Sequence, residues 1–427
     1  MFKRRFPAAE SCLRAGAMLL IAAAITCPAA AATSQRQTVQ FWTMQLSPFN
    51  DAYVLGVIAA FEKAHPSVTI RWTDVPWAEM ERKTLAALAA KSAPDVVNLN
   101  PQFAAKLAEF GALAQPEAYL SADQVAAFLP AVWRANRLDG KTFALPWYLN
   151  TNVTLYNRPM LDKAGVAVPA NLDELLGAAR QLKARSGSYA YFPALDASSP
   201  LEALVAMGNP LLDASGCRAG FITAGGERVF NVYRSLYQDG LVPKNVVTEG
   251  HRKAVEMFLS GQVAMVSTGM QFLGYIKNSN PGMYSQIGVA GQIGAGGGPA
   301  SIAAMNVAVM ERSAVKPAAF AFAQFLTNPQ NQTELARRVP VLPSTSASYD
   351  DAFFRQPLAD PLLNRARQLS VEQVRRGEVL VPPLRKYSKL RISYARNLQS
   401  AMLGAKTAPQ ALADVGREWQ AVLGCAR

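Results

Sequence analysis

Residues 38–72, TVQFWTMQLSPFNDAYVLGVIAAFEKAHPSVTIRW, decide the fold of this 427-residue chain. Val39-Gln40-Phe41-Trp42 carries β-branched and aromatic side chains and reads as a strand. Val54, Leu55, Ile58 and Phe61 then recur at helical spacing up to Pro66, which stops the helix because it lacks a backbone donor and clashes with the preceding turn. Beyond it Val68, Ile70 and Trp72 alternate with Thr69 and Arg71, a second strand. Two strands separated by a helix pair in parallel, because the helix carries the chain back to the same end of the sheet.

The alternation continues outward from this unit. A helix is predicted over 78–91, a buried strand from Asp95 to Leu99, and a helix marked by Phe103, Leu107 and Phe110 and ended by Gly111. Later come helices over 173–184, beginning at Asn171, and over 226–238, before Gly240; Val263-Ala264-Met265-Val266 reads as a buried strand. A glycine-rich loop is expected over 288–298, a strand from Ile302 to Val309, a helix over 316–326 ending at Asn328-Pro329, and a last helix over 409–423. No repeat of solenoid or propeller length is visible. The expected class is α/β, with helices covering a mostly parallel sheet.

About half of the residues are hydrophobic and 17% are charged, and 28 Gly with 27 Pro follow no short period. Disordered, collagen-like and low-complexity classes are thereby excluded. The formal net charge is +13, of which the first 14 residues carry +3. That balance favours anionic surfaces or ligands at long range, but no nucleic-acid motif accompanies it and no nucleic-acid partner is expected.

The opening MFKRRFPAAESCLRAG is basic, Ala15 to Thr26 is apolar, and Ala30-Ala31-Ala32 offers small residues for cleavage. Residues 1–32 read as a secretory signal peptide cut near Ala32, since the apolar run is shorter than the ~20 residues that span a bilayer. Cys27 lacks the Leu and small-residue pattern that precedes a lipidated cysteine, and the alanine-rich signal points to the bacterial periplasm. Cys217 and Cys425 remain after cleavage; the sequence leaves open whether they pair or stay apart as buried thiols.

Several chemistries lack their residues. His65 and His251 lie in unrelated segments without acidic or cysteine neighbours at ligand spacing, so both are expected as exposed helix-end or loop residues, with no metal and no cofactor. No Gly-x-Ser-x-Gly elbow is present. The stretch Gly291 to Gly298 lacks a Gly-Lys-Ser/Thr ending and is followed by Pro299, which argues against a phosphate loop. Binding without catalysis is the expectation.

Five blocks, in order, resemble the family-1 extracellular solute-binding proteins, the maltose-binding-protein-like sugar receptors of ABC importers. They are Phe61 to Pro66 with the strand Val68–Trp72; Ala93 to Val97; Asp139 to Pro146, continuing through Leu155 to Arg158 and on to Asn171–Leu175; Phe258 to Met265; and Ala318 to Pro329. The resemblance implies a two-lobe periplasmic-binding-protein fold of type II, with the ligand between lobes joined by hinge crossings. The crossings fall near Trp147–Thr154, Ala303–Val307 and Val339–Ser344. Residues 33–148 plus 305–340 would form the N-terminal lobe, and 150–303 plus 341–427 the C-terminal lobe. It also implies transmembrane permease subunits as partners and a monomer.

A sugar presents apolar C–H faces and a rim of hydroxyls, so its site needs flat aromatic surfaces and short polar groups. Such residues follow the strand ends, where ligands gather in open α/β sheets: Trp42, Thr43 and Gln45, then Trp77, then Asn98 and Asn100. Asn98 and Asn100 are equally placed to cap the helix beginning near Pro101. Trp147, Tyr148, Asn150 and Asn152 lie at the first crossing, where the resemblance makes Asn150 a hinge-side polar contact. It also makes Tyr191 an aromatic contact, and it sets Gly269 and Gln271 where the family often carries Gly-Pro-Trp. In the basic run from Arg375 to Arg396, Arg385 is either part of a solvated helix face or a cleft cation selecting an acidic or phosphorylated sugar. The expected function is capture of a mono- or oligosaccharide for a permease. The alternatives are a receptor for an anionic or polyol solute such as glycerol phosphate, and a secreted glycoside hydrolase.

Overall fold

The computed structural model describes residues 36–196, 198–294 and 298–424. The signal segment 1–32, part of the glycine-rich stretch, and Cys425 lie outside the described residues.

The strands are β1 (Gln37–Met44), β2 (Val68–Val75), β3 (Val96–Leu99), β4 (Arg137–Leu138), β5 (Lys141–Thr142), β6 (Leu145–Asn157), β7 (Tyr189–Tyr191), β8 (Val263–Gly269), β9 (Ile287–Ala290), β10 (Ile302–Val309) and β11 (Leu342–Pro343). Among the described residues, nine of them share a sheet in the order β2-β1-β3-β10-β6-β8-β7, with β9 and β11 also paired to β6, while β4 and β5 form a separate hairpin. β1 pairs parallel with β2 and β3, and β7 parallel with β8. These are the strands that helices separate in sequence. β10 runs antiparallel to β3 and β6, and β6 antiparallel to β8.

Helices α1 (Asp51–Ala64), α2 (Trp77–Ala89) and α3 (Pro101–Glu109) make the first crossovers. α1 buries Tyr53, Val54, Val57, Ile58 and Phe61; of the stripe read from the sequence, Val54, Ile58 and Phe61 are inside, whereas Leu55 falls on the opposite face and is exposed. α3 starts where Asn100 accepts a hydrogen bond from the Phe103 amide at 2.8 Å, satisfying a donor that the helix itself cannot pair. Asn171 caps the helix Leu172–Ser186 in the same way. One element departs from expectation: Ile287–Ala290 is strand β9, so the glycine-rich loop begins only at Gly291. The reason is pairing with β6, where Gly288 lies opposite Tyr156 and its missing side chain leaves room for that ring.

The buried side chains form two cores. The first holds Phe41, Phe61 and Phe322, with Phe322 edge-on to both partners at 5.0 and 5.2 Å between ring centroids. The second holds Phe221, Phe230, Tyr394 and Trp419, with Phe221 and Trp419 perpendicular at 5.0 Å. β6 passes from one core to the other between Tyr148 and Leu149, and β10 between Ala304 and Met305. At that same point the β10–β6 register shifts between Met305 and Asn306. The chain crosses again between Leu335 and Leu342. Cys217, in a turn where Asp213 accepts from its amide at 3.2 Å, is disulfide-bonded. No described helix is long and apolar enough to cross a membrane.

Phe61→Ala removes a ring that touches three others, Phe322, Phe325 and His65, and is expected to cost about 3–5 kcal/mol. Urea unfolding followed by circular dichroism measures it; a loss under about 1 kcal/mol would mean that this ring is not packed as described.

Candidate functional site

A cavity of about 530 Å³ opens among elements of the second core, and every lining residue falls within 152–301 or 369–380. That volume suits a small organic ligand. β6 contributes Asn152 from its middle, β7 Tyr191 and β8 Ser267 from near their C-terminal ends, while the segment after β9 contributes Gln292 and the helix Pro361–Arg376 contributes Gln373.

Two glutamines clasp the crossing strand beneath this cavity. The Gln292 amide nitrogen donates to the Thr151 hydroxyl and to the Ser301 carbonyl, and its oxygen accepts from the Ser301 amide at 2.9 Å. Gln373 accepts from the Gln292 backbone amide at 2.9 Å and donates to the Thr151 hydroxyl and the Asn152 carbonyl, both at 2.9 Å. With the polar atoms of both glutamine side chains engaged, the network fixes their orientation.

The walls mix ring faces with polar groups. Burial pushes the Tyr191 hydroxyl up to about 12, against a hydrogen bond with Ser267 that lowers it. Its apolar ring sits beside Phe192 and Pro193 in the lining. Burial also raises the Glu202 carboxyl, opposed by the Ser198 and Ser301 hydroxyls. His251 is lowered by burial, an effect opposed by the charge of Asp196 and by a hydrogen bond to the backbone of Ser267, whose carbonyl accepts. Its Nε2 lies 3.1 Å from the Thr268 hydroxyl and its ring stands edge-on to Phe272. The expectation of an exposed His251 is therefore corrected: the helix His251–Leu259 begins against β8, and that contact half-buries the ring. His65 is exposed and stacks on Phe61.

Of the residues singled out in the sequence, Asn152 and Tyr191 line the cavity. Asn150 pairs with Ala303 beside it, Gly269 faces Asn152 across the β6–β8 ladder, and Gln271 is exposed just beyond. Apart from Arg385, the others occupy the first-core half. Trp77 is 49% exposed, its amide donating to the side chain of exposed Gln45 at 3.2 Å. Trp42 is half-buried under the Lys83 ammonium, 4.7 Å from its ring.

Thr43, Asn98, Trp147 and Tyr148 are buried. The Thr43 hydroxyl donates to Asp74 at 2.6 Å and accepts from the Trp72 indole at 2.7 Å. Asn98 accepts from the Met44 amide and donates to the Asn306 carbonyl, so it ties strands together rather than facing solvent. Trp147 packs edge-on to Tyr148 in the first core, and Asn100 is a cap. Arg385 is exposed and ion-paired with Asp139 of the β4–β5 turn, so it is not a cavity cation. The sequence reading missed Glu202, His251, Ser267, Gln292 and Gln373; only the scarcity of histidine singled out any of them.

Residues 47–333 match the family model of bacterial extracellular solute-binding proteins. The chain belongs to that family. A proposed oligosaccharide periplasmic-binding protein from Synechococcus sp. MITs9220, solved with zinc, is 37% identical, with a TM-score of 0.84 over 90% of this chain and 98% of that one. The GacH receptor of Streptomyces glaucescens, solved unliganded and with acarbose, shares the fold: it is 24% identical, with a TM-score of 0.74 over 92% of this chain and 99% of that one. A proposed binding protein of Brucella abortus (strain 2308) is 25% identical over 58% of this chain, and the match spans 61% of that relative. Among the described residues of this solute-binding protein, no group of three or more His, Cys, Asp or Glu could hold a metal ion.

His251 is expected to titrate below the ordinary 6.5. As pH falls, the unfolded chain takes up this proton first, so the stability present above 6.5 is lost as pH drops through the folded value. Proton–carbon NMR of the imidazoles, assigned with His251→Gln, measures it; a midpoint at or above 6.5 would contradict the burial.

Proposed function

We propose that this solute-binding protein is the receptor of an ABC importer for a carbohydrate, captured between its lobes and handed to a membrane permease without covalent change. The cavity beneath Tyr191 carries this reading, because it offers a ring face beside fixed amides and hydroxyls, as a polyhydroxylated ring requires. Export to the periplasm with cleavage near Ala32 and action as a monomer belong to the same proposal. So do lobes of 33–148 plus 305–340 and 150–303 plus 341–427, which agree with the points at which β6 and β10 change core. Trp77, Gln45 and Trp42 would supply the opposite wall when the lobes close. Closure then follows from contacts that form only with ligand between the halves, a shift of population set by differential affinity.

An anionic solute fits less well. Arg385 is engaged with Asp139, and the cavity lining includes the carboxylates of Glu202, Glu372 and Glu378 against the single guanidinium of Arg376.

Calorimetry and thermal-shift screening across neutral, amino and phosphorylated sugars are expected to find stoichiometric binding, a raised melting temperature and ligand unchanged by mass spectrometry. Tyr191→Ala should weaken binding about tenfold, the worth of one aromatic face. Cleaved glycoside in the mixture would replace this reading with that of a hydrolase.

A further inference from the structure

We propose that the cavity selects a saccharide bearing a free amino group, and that Glu202 is the residue that reads it. This rests on the saccharide-receptor reading above and narrows it.

The charged side chains that line the cavity are Glu202, Glu372, Arg376 and Glu378, and among the described ion pairs none of the four takes part. The cavity therefore carries an excess of negative charge on a chain whose formal net charge is +13. Glu372, Arg376 and Glu378 are exposed and well screened, whereas Glu202 is partly buried in the helix Ser199–Ala206. Among the described residues its carboxylate is met by neutral donors, the hydroxyls of Ser198 and Ser301. A carboxylate has about four acceptor positions, so two hydroxyls leave it capacity for more donors. Nearby, close enough to feel the charge of Glu202, the Tyr387 hydroxyl is buried without a hydrogen-bond partner.

A partly desolvated carboxylate without a cation gains most from a ligand ammonium, because the charge-assisted hydrogen bond strengthens where water is scarce. A neutral hydroxyl gains an ordinary hydrogen bond at the same place. A phosphate meets like charge there.

Isothermal titration of the mature protein with glucose, glucosamine and glucose 6-phosphate, and with the corresponding galactose set, in a neutral buffer, where the raised Glu202 carboxyl is better ionised than in acid, tests the ranking. The amino sugars should bind about tenfold tighter than their neutral partners, with the phosphates weakest. In Glu202→Gln the preference for the amino sugar should disappear, with the melting temperature reporting that the variant is folded. Neutral sugars bound as tightly as amino sugars would overturn this inference and leave the receptor reading intact, as would a Glu202→Gln protein that keeps the preference. Heat from none of the three classes, in these monosaccharides and in the oligosaccharides built from them, would overturn both. If Glu202→Gln does not fold, the ranking in the unmodified protein decides alone.

Discussion

Strand β6 is the constraint on which the rest of this structure depends. Its 13 residues run through both cores, with Trp147 and Tyr148 in the first and Leu149, Val153 and Leu155 in the second. It pairs with four other strands, β8, β9, β10 and β11. A strand that must satisfy two cores has little freedom of register, because a slip of one residue would turn every buried side chain to the wrong face. The bulge between Met305 and Asn306 gives the partner strand β10 its local adjustment at the passage from one core to the other.

The cavity is built from that strand outward. Thr151 sits on β6 two residues beyond Leu149, where the change of core is complete, and it is the common acceptor of Gln292 and Gln373. A ligand resting on these glutamines would therefore touch groups bonded directly to the crossing, not groups several layers away. The wall residues Tyr191 and Ser267 stand on β7 and β8, which pair in parallel next to β6. Sheet pairing, more than loop conformation, sets the spacing of these side chains.

Much of this architecture was legible in the chain. β10 occupies Ile302–Val309 and one helix Lys316–Leu326, because apolar periodicity and the punctuation of Gly, Pro and Asn are local signals. The site was less legible. Asn152 and Tyr191 were reached, but Gln292 and Gln373 approach Thr151 across 141 and 222 residues of sequence, and no local pattern records such a meeting. Trp147 and Asn98 misled for a related reason. A tryptophan near a crossing and an asparagine at a strand end are chemically suited to a sugar, yet here one fills a core and the other ties β1 to β10. Residue type announces what a side chain can do; burial decides whether a ligand can reach it.

The segment that follows the cavity connects the two halves outside the strands. Leu380 lines the cavity, and a few residues later the Lys386 amide donates to Glu109 of α3 at 3.0 Å while Arg385 pairs with Asp139. Both partners of the Arg385–Asp139 pair are about half exposed, so water screens it and its worth is limited to a few tenths of a kcal/mol. A contact that weak cannot hold the halves together against thermal motion. It could bias only an equilibrium whose two states differ by a similar amount, and it lies on a chain segment that also forms the cavity wall. The connections through β6 and β10 fix which halves meet, and a contact as weak as Arg385–Asp139 would yield to a ligand that favoured another arrangement.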